Sequence, residues 1–530
     1  MKLSSIASAL AKSPCYPHWQ KIGIRHHHGI DLPLFSLHSK YSAGIGEFPD
    51  LIPVIDWLSN IGMDILQLLP LNDSAMDPSP YNALSAFALH PIYLGLANLP
   101  YVKDDLQLQF FLQELQAMNH FPKVSYHDVL KTKQQFLLLY FQRYFENFQH
   151  LPRYQSFLKE NSWLKIYALF KALKDHFSQK GWFDWPEKYK NVKAHRENLI
   201  SEFSSPIAFY EFVQYLCFQQ LHAVKEHAEK KGVFLKGDIP ILISPDSADV
   251  WHFPEFFDMS YSAGAPPDMF NPDGQYWGFP TYKWNALRKR DFNWWKKRLR
   301  LAEKIYHIYR IDHVIGFYRI WEIPRGDPPG NGRFVPKKED KAIEQGEEIL
   351  TMMLRSSSML PIAEDLGFIT EKIRESLKRL GIAGTRVIRW EKTWDEKQEI
   401  IPTSEYEPLN LTTVSTHDSE TLELWWRYRS DEAKDFAKEK GWHYIPDLSF
   451  DWRFSLLRDS HTSSTLFHIN LLQEYFGLYP ELSWPNPEDE RINIPGFLLP
   501  ANWTYRFRPS IEEFTSHAPL FESMKELIRP

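Results

Sequence analysis

A chain of 530 residues with 43% hydrophobic and 24% charged side chains has the material for a large buried core. Its formal net charge of -6 argues against nucleic acid or an anionic membrane as the main partner. Two cysteines, Cys15 and Cys217, make no disulfide framework and point to a reducing, cytoplasmic compartment, and no apolar run reaches the roughly 18 residues of a membrane span.

In chain order, the serine-broken apolar start over 1–11 reads as a short helix rather than a secretion signal. His26-His27-His28 tempts a metal reading, but three consecutive residues cannot all face one ion from a regular strand or helix. No metal or cofactor is expected. Gly44-Ile45-Gly46-Glu47-Phe48-Pro49 predicts a turn, 51–61 a helix with an apolar face, and 64–70 a strand stopped by Pro70. Residues 1–98 thus start a series of strand–loop–helix units. Over 99–230 Pro and Gly become sparse while Gln, Lys, Glu, Leu and Phe dominate, which predicts a mostly helical insertion. Its basic cluster over 188–196 reads as a solvated helix face. The remainder, 231–530, returns to alternation. Strand character over 232–241 is followed by a long polar and aromatic loop over 244–283, rich in Pro and Gly. A helix is expected over 294–306, a strand over 308–312, a helix near 339–355, a strand over 360–364, a helix over 370–380 and a strand over 385–390. A further strand precedes Asp418 and a Trp-bearing helix follows it. Pro328-Pro329-Gly330-Asn331-Gly332 lacks the Gly-Lys-Ser/Thr ending of a phosphate loop. The fold expected is α/β, a (β/α)8 barrel with a helical insertion.

Asp312, Glu364 and Asp418 each stand at the end of a short apolar run or just past one. In a (β/α)8 barrel such positions converge on the C-terminal face, where catalytic groups are carried. Two carboxyls flanking a scissile bond are what glycoside chemistry needs, one to attack and one to donate a proton, and a third can balance the oxocarbenium charge. On spacing alone the three acids could equally cap helices. Arg310, two residues before Asp312 on the same strand face, would keep that carboxyl ionised, and His417 beside Asp418 would bond a sugar hydroxyl. Aromatics at 15%, with 19 Trp, suit sugar faces as well as a core.

Arg310-Ile311-Asp312-His313, Ile362-Ala363-Glu364-Asp365-Leu366-Gly367 and Ser415-Thr416-His417-Asp418 resemble the three acid motifs of the 4-α-glucanotransferase (amylomaltase) family of the α-amylase-like barrel group. Ser79-Pro80-Tyr81 with Ser85-Ala86-Phe87-Ala88 resembles its early substrate segment, and Gly237-Asp238-Ile239-Pro240-Ile241 its third-strand motif. Residues 264–268 with Gly274-Gln275-Tyr276-Trp277-Gly278 resemble its aromatic loop over the acceptor groove, and Asn493-Ile494-Pro495-Gly496 with Asn502-Trp503 its closing segment. The match runs from near 30 to near 507. Ser415 and Ser419 flank the third motif as in the branch with the plant cytosolic maltose-using enzymes, whose starch-binding modules and barrel insertion do not fit into 530 residues.

The resemblance implies a retaining glucanotransferase acting on α-1,4-glucans such as maltose, maltodextrins and glycogen. It makes Asp312 the nucleophile, Glu364 the acid/base and Asp418 the transition-state stabiliser. Arg310 and His417 would support them, Asp238 and Asn493 would bind substrate, and Tyr81, Tyr276 and Trp277 would be stacking platforms. Retention by double displacement predicts the Asp312 and Glu364 carboxyls about 5 Å apart. The loop over 244–283 is expected to cover the acceptor side and limit water. A hydrolase on the same barrel and a non-catalytic glucan-binding protein are the alternatives.

Overall fold

The computed structural model describes residues 3–267, 272–367, 369–393 and 399–529. Eight short parallel strands form its centre: β1 (His27–Leu32), β2 (Ile65–Leu68), β3 (Phe234–Ile239), β4 (Ile308–Ile311), β5 (Leu360–Ala363), β6 (Gly384–Val387), β7 (Asn410–Thr413) and β8 (Phe467–Leu471). They pair in the order β5-β4-β3-β2-β1-β8-β7-β6. A parallel bridge between Ile362 and Ala383 joins the two ends, with the Ala363 N–H donating to the Ala383 carbonyl at 2.7 Å. The sheet is therefore a closed (β/α)8 barrel with no free edge. Strands covered by helices outside and packed against one another inside are buried on both faces rather than on alternate residues. All four residues of β2 and all four of β5 are buried. Gly29 is required in β1 because a Cβ there would meet the Ile65 carbonyl oxygen at 2.3 Å.

The first helix after β1, α1 (Leu51–Ile61), ends at Gly62, whose φ of 99° supplies the left-handed C-terminal turn. Between β2 and β3 the chain is helical for most of its length. It includes α2 (Leu106–Ala117), α3 (Tyr126–Tyr144), α4 (Leu164–His176) and α5 (Ser204–Lys231). At about 1.5 Å per residue, the 28 residues of α5 reach beyond the barrel wall. Gln214 bonds the Tyr167 hydroxyl of α4, while the Lys231 carbonyl accepts from the Ser59 hydroxyl of α1 and His227 pairs with Asp56. The same helix thus anchors the helical segment and returns the chain to β3.

Residues 244–283 are not the irregular loop the sequence suggests. They contain a helix (Ala248–His252) and the strands Tyr261–Ala265 and Gln275–Tyr276. These strands join Ile320–Pro324 and Arg333–Val335 in a four-stranded sheet above the barrel. Small side chains make this possible: a Cβ on Gly264 would meet the Gln275 carbonyl oxygen at 2.1 Å. Polar composition hid a strand whose partner comes from a distant part of the chain. Asp268 lies outside the described residues. Among the described residues no helix is long and apolar enough to cross a membrane, and Cys15 and Cys217 are buried free thiols.

Candidate active site

Six barrel strands deliver the site through their C-terminal ends. Tyr81 follows β2, Asp238 is the next-to-last residue of β3, and Asp312 directly follows β4. Glu364 directly follows β5, His417 and Asp418 lie just beyond β7, and Asn493 lies beyond β8. Arg310 is inside β4, paired in register with Asp238 of β3.

Arg310 is the hub. Its Nη1 donates to both oxygens of Asp238, at 3.0 and 2.9 Å, and to Asp312 Oδ1 at 2.8 Å. Its Nη2 lies 3.8 Å from Glu364 Oε2. Two acids from adjacent strands therefore share one guanidinium, which these surrounding carboxylates hold firmly charged against the cost of its burial. Backbone N–H groups of His313 and Leu366 donate to the two Glu364 oxygens at 2.8 and 2.9 Å. Burial, assisted by the nearby Asp312 and opposed by Arg310, pushes the Glu364 carboxyl up to about 7. Burial also raises Asp312, and Asp238 adds to this while Arg310 opposes it. The guanidinium is 1 Å closer to Asp312 than to Glu364, so charge falls preferentially on Asp312 and the proton on Glu364.

On the opposite wall, Asn493 Nδ2 donates to Asp418 Oδ1 at 2.7 Å and His417 Nε2 lies 3.3 Å from Asp418 Oδ2. Burial works against charge on both groups, but their mutual attraction outweighs it. Asp418 is held below the ordinary carboxylate range and His417 is raised. Nearly half of the Asp418 side chain remains open to the cleft. The Tyr81 hydroxyl donates to Asp238 Oδ2 at 2.7 Å and is 2.9 Å from His417 Nε2, with the Tyr81 and His417 rings stacked.

The structure thus brings Arg310, Asp238, Asp312, Glu364, Tyr81, His417, Asp418 and Asn493 into one connected network. Asp238 is closed off at its base, with no exposed side-chain surface, so a sugar reaches it only if Tyr81 shifts. Trp277 joins from above through its ring, edge to face with His313 at 4.9 Å between centroids. Tyr276 stands at the cleft edge, 42% exposed, and none of its described contacts is with the acids.

Several groups had no role assigned from the sequence, Trp503 of the closing segment among them. Trp503, with a left-handed φ of 61°, packs its ring against Tyr81 and His417. Beneath the site lies a buried polar row: Lys236 of β3 donates to Gln67 Oε1 of β2, and Gln67 Nε2 donates to Asp31 Oδ2 of β1 at 2.7 Å. Burial drives Asp31 up to about 6 and Lys236 down to about 7. Lys236 stands two residues before Asp238 and shares its inward face, which is the signal that could have found it. The expected histidine triplet is structural: His27 bonds Asp64 at 2.8 Å, while His26 and His28 pair with His468 and His461.

A family model described as 4-alpha-glucanotransferase matches residues 32–512. A 4-alpha-glucanotransferase of Chlamydia caviae is 44% identical, covering 97% of each chain. The 4-alpha-glucanotransferase DPE2 of Oryza sativa subsp. japonica is 37% identical over 58% of this chain and 34% of its own length. Among solved structures, an amylomaltase from Streptococcus agalactiae in complex with acarbose is similar with a TM-score of 0.79 at 25% identity, covering 95% of this chain and 98% of that one.

Proposed function

This chain belongs to the 4-alpha-glucanotransferase family, and on that footing we propose that it transfers glucan segments by double displacement on Asp312. The Asp312 carboxylate attacks the anomeric carbon of the donor. The C1–O4 bond breaks as the C1–Asp312 bond forms, and Glu364 gives its proton to the departing O4. The 4-hydroxyl of an acceptor sugar then attacks C1, its proton passes to Glu364, and the ester electrons return to Asp312. Two inversions leave the linkage α, which requires the two carboxyls about 5 Å apart. Asp418, kept anionic by His417 and Asn493, balances the positive charge developing on the ring in both steps.

The observation that carries this reading is the unequal grip of one guanidinium on two acids, 2.8 Å to Asp312 and 3.8 Å to Glu364. It supports an ionised nucleophile beside a protonated acid, the asymmetry that retention needs. Tyr81 floors the donor side, where Asp238 acts by fixing Tyr81 and Arg310. Trp277 and Tyr276 are platforms on the acceptor side. The sheet carrying them shields the ester from water long enough for a sugar to accept the chain. Maltodextrins are the expected donors.

Incubation with maltotriose tests the reaction. A ladder of shorter and longer oligomers is expected, whereas steady growth of reducing ends without longer products would mean hydrolysis. Asp312→Asn is expected to cut transfer by about 10⁴-fold or more while calorimetry still detects maltodextrin binding. Retained turnover in that variant would remove Asp312 from the role assigned. Truncating Trp277 to Ala is expected to raise hydrolysis relative to transfer.

A further inference from the structure

We propose that the His313 side chain is a substrate contact, bonding a hydroxyl of the acceptor sugar in the subsite walled by Trp277. The argument rests on the assignment of Glu364 as acid/base, because the acceptor must lie beside the group that takes its proton.

Four observations converge on this residue. His313 adopts φ 44°, a left-handed conformation that a residue with a Cβ rarely takes and that clusters at functional sites. This turn aims the His313 N–H at Glu364 Oε2, 2.8 Å away, and brings the Val314 N–H onto the Glu364 carbonyl at 3.1 Å. The ring is held in place: its Cδ2 edge packs over Gly316, where an added Cβ would come within 2.9 Å of it, and Trp277 stands edge to face against it. Yet neither ring nitrogen bonds any protein group among the described residues. The residue is only half-buried, so the ring is fixed beside the cleft with its polar atoms unused.

The chemistry matches a sugar hydroxyl. Burial and the Arg310 charge lower this imidazole to about 4, so it is neutral at neutral pH and offers one donor and one acceptor. A hydroxyl also donates and accepts. The position selects the acceptor: Tyr81, Asp238, His417 and Asp418 interlock on the donor side, and His313 contacts none of them.

Two variants separate the ring from its backbone. Asn and Gly both tolerate positive φ, so His313→Asn and His313→Gly keep the N–H on Glu364 while removing the imidazole. Two rates are read on the full chain. The first-turnover burst of fluoride from α-maltosyl fluoride, released before any acceptor is needed to clear the ester, reports ester formation without a sugar in the acceptor subsite. Incorporation of labelled glucose at varied concentration reports acceptor binding. The expected result is an acceptor KM raised by about 3–10-fold, the loss of one hydrogen bond, with fluoride release within about twofold of the parent. An unchanged acceptor KM, or fluoride release falling by the same factor as transfer, would overturn the proposal. Fluoride release surviving Asp312→Asn would instead refute the nucleophile assignment, so the two failures are distinguishable.

Discussion

At the level of single residues, the site separates two carboxyls by their distance from one guanidinium. In the proposed mechanism Glu364 carries a proton when the reaction starts, and burial is the chief cause that holds its carboxyl at about 7. As pH rises through that value the acid is lost, so transfer from maltotriose is expected to fall on the alkaline side with a midpoint near 7, read from a kcat/KM profile. Glu364→Gln should lose maltotriose transfer by about 10²–10⁴-fold. It should keep much more of its fluoride release, since fluoride leaves without a full proton transfer. Equal losses on both donors would argue against an acid role. Acids at strand ends, the Arg310–Asp312 spacing and the His417–Asp418 pair were all readable in the chain, because each is a short local pattern on a strand or just beyond it. The grip of Arg310 on Asp238 was not, since 72 residues separate the partners and only strand pairing aligns them.

The strands themselves place charge inside the barrel as well as at its mouth. Asp31, Gln67 and Lys236 come from three adjacent strands in lateral register, with Asp31 opposite Gln67 and Gln67 opposite Lys236. The two ionisable ends compensate each other through the amide. Removing one end leaves the other buried without its counterpart, which is costly, whereas removing both is far less so. Lys236→Met is therefore expected to destabilise the fold by about 3 kcal/mol, seen as a lower urea midpoint. The double variant Asp31→Asn/Lys236→Met should recover most of that loss. Failure of the second change to restore stability would show the row to be uncoupled. The two-residue spacing of Lys236 and Asp238 marks one shared strand face, but Gln67 and Asp31 come from other strands, so only strand pairing discloses the row.

Across the whole molecule, the first and last barrel strands are sealed by imidazoles. His28 stacks on His468 at 4.7 Å and meets His461 at 3.0 Å, while His26 meets His468 at 3.1 Å. Burial, opposed by Asp64 and reinforced by the neighbouring histidines, lowers His28 to about 4, and burial with His28 depresses His461 and His468 well below their ordinary value. In the unfolded chain these groups take up protons near pH 6.5. Between about 6.5 and 4 the unfolded state thus holds more protons than the folded one, and stability falls as pH falls. A thermal midpoint that drops from pH 7 to pH 5, with a visibly smaller drop in His28→Gln, is the expected outcome. An identical drop in the variant would place the acid sensitivity elsewhere.

Periodicity and punctuation along the chain were enough for the barrel class, for α1 over 51–61 and for the helical stretch before β3, because these depend on neighbours within a few residues, whereas the three acids stood out through their motifs and not through spacing alone. What the acids do together depended on closure. Pairing of β1 with β8 joins strands hundreds of residues apart, and the Ile362–Ala383 bridge closes the ring around one mouth; the charge on each carboxyl then follows from how deeply it is buried and how near Arg310 comes. The small sheet over the cleft, the buried row below it and the unbonded ring of His313 exist only in that assembled state. Burial and electrostatic contact act through space, and the linear order of residues carries no measure of either.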